Sequence, residues 1–300
     1  MTNARRATLI LLILLIAIPA FAQSHHASKG DSATDGNVLS VFLERTDKKA
    51  DPIRPDDLSL YENGIEQRIK NFVADPSPSR IVILVDNSQT LQTSVDAMKE
   101  AAMQFAYEIY EGDEIFTLAY DEHAEIIQEW TDDPKKMEAS FETFRKKGNP
   151  YLFDSIHDSV EQVILPLMPG TRKTALVIIS DGLDRGSKLS FEKVLNELQA
   201  NNITVYSLQL PDRTGGAYRR DQPKAAAVMQ RLAEETGGLS FEYTAAQNAA
   251  KTICDELRKN RYLLSYQPLN TATYDARRLL LIGPEGVNVR VKQAQPPTVK

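Results

Sequence analysis

The stretch Ile81-Val82-Ile83-Leu84-Val85-Asp86-Asn87-Ser88-Gln89-Thr90 decides the fold. An unbroken apolar, mostly β-branched run is the pattern of a strand buried on both faces, as in a parallel sheet covered by helices. The run stops at an aspartate, and hydroxyl residues follow at alternate positions. Downstream, Val95, Met98, Ala102, Phe105, Ala106 and Ile109 recur at spacings of three and four, the period of a helix with one apolar face.

The alternation continues. Strands are expected at 115–120, 125–130, 175–180, 203–208 and 239–243, and helices at 134–145, 153–165, 191–200, 225–236 and 245–260. The short break between 115–120 and 125–130 makes that pair an antiparallel hairpin. The rest reads as βαβ crossovers, which implies an α/β fold with a doubly wound, mostly parallel sheet.

Both flanks read as β structure. Residues 38–43 have strand character, and 58–69 alternate around Asn63-Gly64, a strong hairpin signal. Asp75-Pro76-Ser77-Pro78-Ser79 then marks a boundary. Beyond Asn260, three further strands are expected at 262–266, 278–282 and 287–291. The organisation expected is an amino-terminal β segment (37–75), an α/β domain (80–260) and a carboxy-terminal β segment (261–300) packing with the first. The α/β domain is thereby inserted into a small β module.

Arg5 and Arg6, the apolar run 7–18, Pro19 and Ala20-Phe21-Ala22 have the order of a signal peptide (1–22) cleaved after Ala22, so a secreted or periplasmic protein is expected. The run is short for a membrane span, an uncleaved anchor being the alternative. Residues 23–36 read as a flexible leader, and His25-His26 as solvated side chains with no third ligand at a fixed spacing. With 42% apolar and 25% charged residues the composition is globular, and a net charge of −6 provides no field for nucleic acid or an anionic membrane surface. The single cysteine, Cys254, excludes an internal disulfide and reads as a helix-core residue.

Open α/β sheets place ligands outside the carboxyl ends of the strands, where strand order reverses. Two loops stand out, Asp86 to Thr90 and Asp181-Gly182-Leu183-Asp184. If their strands are neighbours, Asp86, Ser88, Thr90 and Asp181 make a hard, all-oxygen cluster suited to Mg²⁺, Mn²⁺ or Ca²⁺. The structural alternative for both aspartates is capping of N–H groups at strand ends.

With these motifs the chain resembles the von Willebrand factor A family, whose Rossmann-like domain carries a metal-ion-dependent adhesion site. Its pattern, Asp-x-Ser-x-Ser, a later threonine and an Asp-Gly pair, is matched by Asp86-x-Ser88-x-Thr90 and Asp181-Gly182. The similarity is greatest to bacterial secreted members, in which segments like Asp57 to Gly64 and Tyr262 to Pro268 flank the domain. The resemblance implies a protein-binding, adhesion-type module whose bound ion is completed by an acidic side chain of a protein partner. One departure stands out. Gly148-Asn149-Pro150-Tyr151-Leu152-Phe153-Asp154 matches the threonine loop with Pro150 in the ligand position, where no side-chain oxygen is available. This implies a weakened or silent site, with Asn149 or Asp154 as replacements.

Other readings fit less well. Haloacid-dehalogenase phosphatases also place an aspartate after a first apolar strand, and Asp181-x-x-Asp184 faintly matches their acidic motif, but Ser88 occupies the general-acid position and cannot protonate a leaving group as a carboxylic acid does. No Gly-x-Ser-x-Gly elbow occurs, and His123 and His157 have no triad spacing. The expectation is a non-enzymatic binding protein, the alternative being a metal-independent envelope scaffold of the same fold.

Overall fold

The computed structural model describes residues 37–47, 51–168, 173–212, 222–270 and 272–297. The expected signal peptide and leader, with His25-His26, lie outside the described residues. The chain enters through β1 (Asn37–Arg45), β2 (Ser59–Glu62), β3 (Ile65–Gln67) and β4 (Ile69–Ala74). Asn63 and Gly64 both take positive φ, 50° and 80°, as the tight turn between β2 and β3 requires. The central layer follows as β5 (Ser79–Asp86), α1 (Val95–Glu108), β6 (Glu114–Tyr120), β7 (Ala124–Thr131), α2 (Pro134–Ser140), α3 (Leu152–Ser159), β8 (Lys173–Ser180), α4 (Phe191–Ala200), β9 (Thr204–Gln209), α5 (Ala225–Glu235), β10 (Ser240–Glu242) and α6 (Ala246–Asp255). The chain leaves through β11 (Arg261–Tyr266), β12 (Arg277–Ile282), β13 (Val287–Val291) and β14 (Ala294–Gln295).

Six strands form the central sheet in the order β10-β9-β8-β5-β6-β7, parallel except for β7. The apolar run in β5 is divided by its pleat. Ile81, Ile83 and Val85 pack with α1 and α6, while Val82 and Leu84 pack with α3, α4 and α5. Cys254 lies in the first of these clusters and is buried. Side chains fix the helix starts: Ser94 caps α1 through Ala97 N–H, and Asp133 caps α2 through Lys135 N–H with Pro134 in its first turn.

The flanking strands form two four-stranded sheets, β13-β1-β11-β4 and β14-β12-β2-β3, with Leu39, Val41, Leu60, Phe72, Leu264 and Tyr266 in the core between them. Glu62 is buried there against Arg277 at 2.8 Å and accepts from the Tyr266 hydroxyl at 3.0 Å. Backbone and side-chain bonds tie this unit to the central layer: Gln293 N–H donates to Glu235 O at 2.9 Å, and the buried Lys292 amino group donates to Gln199 O.

Several expected elements differ in extent. The helix expected over 134–145 stops at Ser140, because the chain beyond Phe141–Thr143 is drawn into pairing with the loop after β5: Lys147 N–H donates to Asn87 O, and Asn87 Nδ2 donates to Arg145 O. The helices expected over 153–165 and 245–260 both end in a π turn, Val160–Ile164 and Glu256–Asn260. In the second, Glu256 is pulled inward to accept from Tyr206 and pair with Arg290. The strand β4 lay beyond the expected hairpin. Lys70 and Asn71 mask its alternation, while Phe72 stacks on Tyr262 of β11 at 4.8 Å. No helix among the described residues is long and apolar enough to cross a membrane.

Candidate metal centre

Strand order reverses between β5 and β8, and their register sets Val85 opposite Ile179. Asp86 and Asp181 therefore leave the sheet at the same carboxyl edge. Asp86 is fully buried and well held: Oδ1 accepts from Ser88 N–H at 2.8 Å, and Oδ2 lies 3.1 Å from both the Tyr120 and the Ser180 hydroxyl oxygens. Those two hydroxyls are 2.8 Å apart, so two protons serve three contacts, and Gly182 N–H donates to Ser180 Oγ at 2.9 Å. Burial first, and the Asp86 carboxylate second, push the Tyr120 phenol well above its ordinary value, so it stays a donor.

Asp181 Oδ1 accepts from Leu183 N–H at 3.1 Å, the capping role that the structural alternative predicts. Gly182 follows with φ +80°, and a Cβ there would lie 2.1 Å from Ala225 O on α5. Only glycine lets the chain turn at this point. Asp184 serves a neighbouring element, accepting from Phe153 N–H at the start of α3 and from Ser187 Oγ.

Ser88 and Thr90 decide whether an ion fits. Ser88 is fully buried, and Ser88 Oγ and Thr90 Oγ1 are both buried without a hydrogen-bond partner among the described residues. An unpaired buried hydroxyl costs about 1–3 kcal/mol. Both lone-pair donors sit in the loop that begins at Asp86, and Leu91 N–H closes this loop onto Ser88 O. A hard divalent cation is the partner that satisfies such oxygens, so the donor set fits one. Ser180 Oγ links Asp86 Oδ2 to the backbone N–H of Gly182, beside Asp181, and Ser88 N–H holds Asp86 Oδ1, whereas among the described residues no hydrogen bond joins the Thr90 hydroxyl to this network.

The loop expected to bring a threonine lies against this one, with Gln89 N–H donating to Lys147 O and Gly148 O at 3.0 and 3.3 Å. Pro150 is buried in it, and its carbonyl accepts from Arg185 N–H at 2.8 Å. Neither expected replacement turns to the site. Asn149 donates to Glu122 Oε1 at 3.1 Å, and Asp154 accepts from Lys188 and Leu189 N–H. Tyr120 and Ser180 are the residues that sequence reasoning missed. Their signal was positional: each ends a strand adjacent to β5, and Tyr120 is in register with Asp86.

A family model of the von Willebrand factor type A domain matches residues 81–256. The chain belongs to this family. Von Willebrand A domains are protein-interaction modules, and the central sheet, its helices and the loops just described form the one present here. The added antiparallel sheets come from the segments on either side. A search of curated proteins finds no match.

Among solved structures, the chain is similar to an aerotolerance-related membrane protein from Bacteroides fragilis, at 19% identity and a TM-score of 0.47, covering 60% of this chain and 99% of that one. A von Willebrand factor type A protein from Catenulispora acidiphila aligns at 10% identity and a TM-score of 0.49, covering 88% and 75%. Proximal thread matrix protein 1 from the mussel byssus, in a structure with a zinc-occupied adhesion motif, aligns at 12% identity and a TM-score of 0.47, covering 66% of this chain and 49% of that one.

Proposed function

We propose that this protein is a secreted or periplasmic, non-enzymatic binding module in which Asp86, Ser88, Thr90 and Asp181 hold Mg²⁺ or a similar divalent cation. The observation that carries the reading is the pair of buried, unpartnered hydroxyls, Ser88 Oγ and Thr90 Oγ1, in the loop that begins at the buried Asp86. When bound, the ion supplies an electrophilic coordination position for a carboxylate of a protein partner. The chain's own part is orientation. Tyr120, Ser180 and Ser88 N–H fix the Asp86 carboxylate, and Gly182 lets the Asp181 loop turn beside it. Two neutral hydroxyls beside two carboxylates leave a divalent ion able to accept one more acidic ligand.

Pro150 favours a second reading, a scaffold of the same fold that binds partners without metal. Capture of an acidic peptide library on the immobilised chain separates the two. Capture in Mg²⁺ that is lost on chelation and in Asp86→Ala supports the metal-dependent reading. Capture that survives both supports the scaffold.

A further inference from the structure

On the sheet face covered by α3, α4 and α5, three side chains able to ligate a metal meet outside the centre described above. His157 lies in the last turn of α3, Glu161 four residues on in the π turn Val160–Ile164, and Glu197 on α4. His157 Nδ1 is 2.9 Å from each carboxylate oxygen of Glu197, and one ligand atom from each of the three residues lies within 4.8 Å of the others. Ligands on a tetrahedral ion at about 2.0–2.2 Å are roughly 3.4 Å apart, so small side-chain rotations complete the set.

The local sequence builds this face. Val160, Val163 and Ile164 are buried in the core, which leaves Glu161 on the solvent side with His157. A π turn is rare in helices and recurs at functional positions. Glu197 is only 18% exposed at its side chain. A protonated imidazole offsets only one of the two carboxylates that crowd here. A divalent ion with neutral imidazole offsets both.

We infer that His157, Glu161 and Glu197 form a second cation site, one that takes a borderline transition-metal ion such as Zn²⁺ and clamps α3 to α4. An imidazole nitrogen with two carboxylates suits Zn²⁺ or Co²⁺, whereas the all-oxygen set at Asp86 suits Mg²⁺, so the two sites sort metals by donor type. Three protein ligands leave a fourth position to water. His157 also borders a 370 Å³ cavity with His123 and Asp154, which gives that position a route from solvent.

The test is calorimetric titration of the full chain with Zn²⁺ in saturating Mg²⁺, in a His25→Ala/His26→Ala background that removes the adjacent histidine pair of the sequence. One saturable Zn²⁺ event is expected, weakened about tenfold or more by His157→Ala and by Glu197→Gln and unchanged by Asp86→Ala. Co²⁺ added to the same protein should give the intense visible absorption of a tetrahedral nitrogen and oxygen site, absent in His157→Ala. Neither variant alters a fully buried position, and circular dichroism checks that both fold. Zn²⁺ uptake that is absent, survives His157→Ala, or is lost only with Asp86→Ala overturns the inference.

Discussion

Replacing Tyr120 by phenylalanine removes one hydroxyl from a fully buried ring and nothing else. That hydroxyl lies 3.1 Å from Asp86 Oδ2, and a hydrogen bond to a charged group contributes about 1.5–3 kcal/mol. Ser180 Oγ remains at 3.1 Å from the same oxygen, so one donor survives and the loss falls near the lower end, about 1.5 kcal/mol. Urea unfolding in chelator should show a lower midpoint with an unchanged slope, the mark of altered stability without altered compactness. A cycle with Asp86→Asn isolates the pair, and contacting residues couple by about 0.5–3 kcal/mol. The expected coupling is about 1 kcal/mol. Additive single effects, with no coupling, would refute the claim that Tyr120 holds the Asp86 carboxylate.

Other perturbations follow from the same geometry. Lys292 is buried, and burial, with Arg277 second, lowers its pKa to about 7. Between pH 7 and 10 the unfolded chain therefore holds a proton that the folded one has released, so this residue makes stability rise with pH by about 1.4 kcal/mol per unit. Measured by denaturant titration at pH 6.5 and 9.5, the stability of the wild type relative to Lys292→Met should rise with pH accordingly; parallel profiles would contradict it. Gly182→Ala puts a Cβ 2.1 Å from Ala225 O at φ +80°, and a loss of about 2 kcal/mol or more is expected, read as a fall in Tm of about 5 °C. A neutral result would mean that the turn is not constrained. Glu62→Ala should cost about 3–5 kcal/mol by stranding the buried Arg277, and Arg277→Ala in that background should recover part of it.

The central sheet was legible because its signal is redundant. β5 and β8 are apolar runs buried on both faces, and the helices between strands repeat at a clean period, so the order of elements followed from the sequence. Helix ends were not legible. Residues 141–145 read as the end of a helix, but the backbone at Arg145 and Lys147 finds partners in the Asn87 loop, and no local pattern reports a partner nearly sixty residues away. β4 and the two-residue β14 were missed for the same reason: each is a strand because of what lies beside it.

At the candidate centre, Asp86, Ser88 and Asp181 were readable from their place at strand ends. Tyr120 and Ser180 were not, since a tyrosine or serine closing an apolar strand says nothing until the neighbouring strand and register are known. The proline at 150 was readable. What the structure adds is that Asn149 and Asp154 are engaged elsewhere, so no side chain of that loop replaces the threonine.

The most direct test is calorimetric titration of the purified chain with Mg²⁺ and Mn²⁺, with Asp86→Ala alongside. Saturable binding is expected in the wild type and not in the variant, with about 2.7 kcal/mol of added stability at roughly 100 times the dissociation constant. No heat and no stabilisation in the wild type, or the same response in Asp86→Ala, would contradict a metal centre at the edge of this sheet.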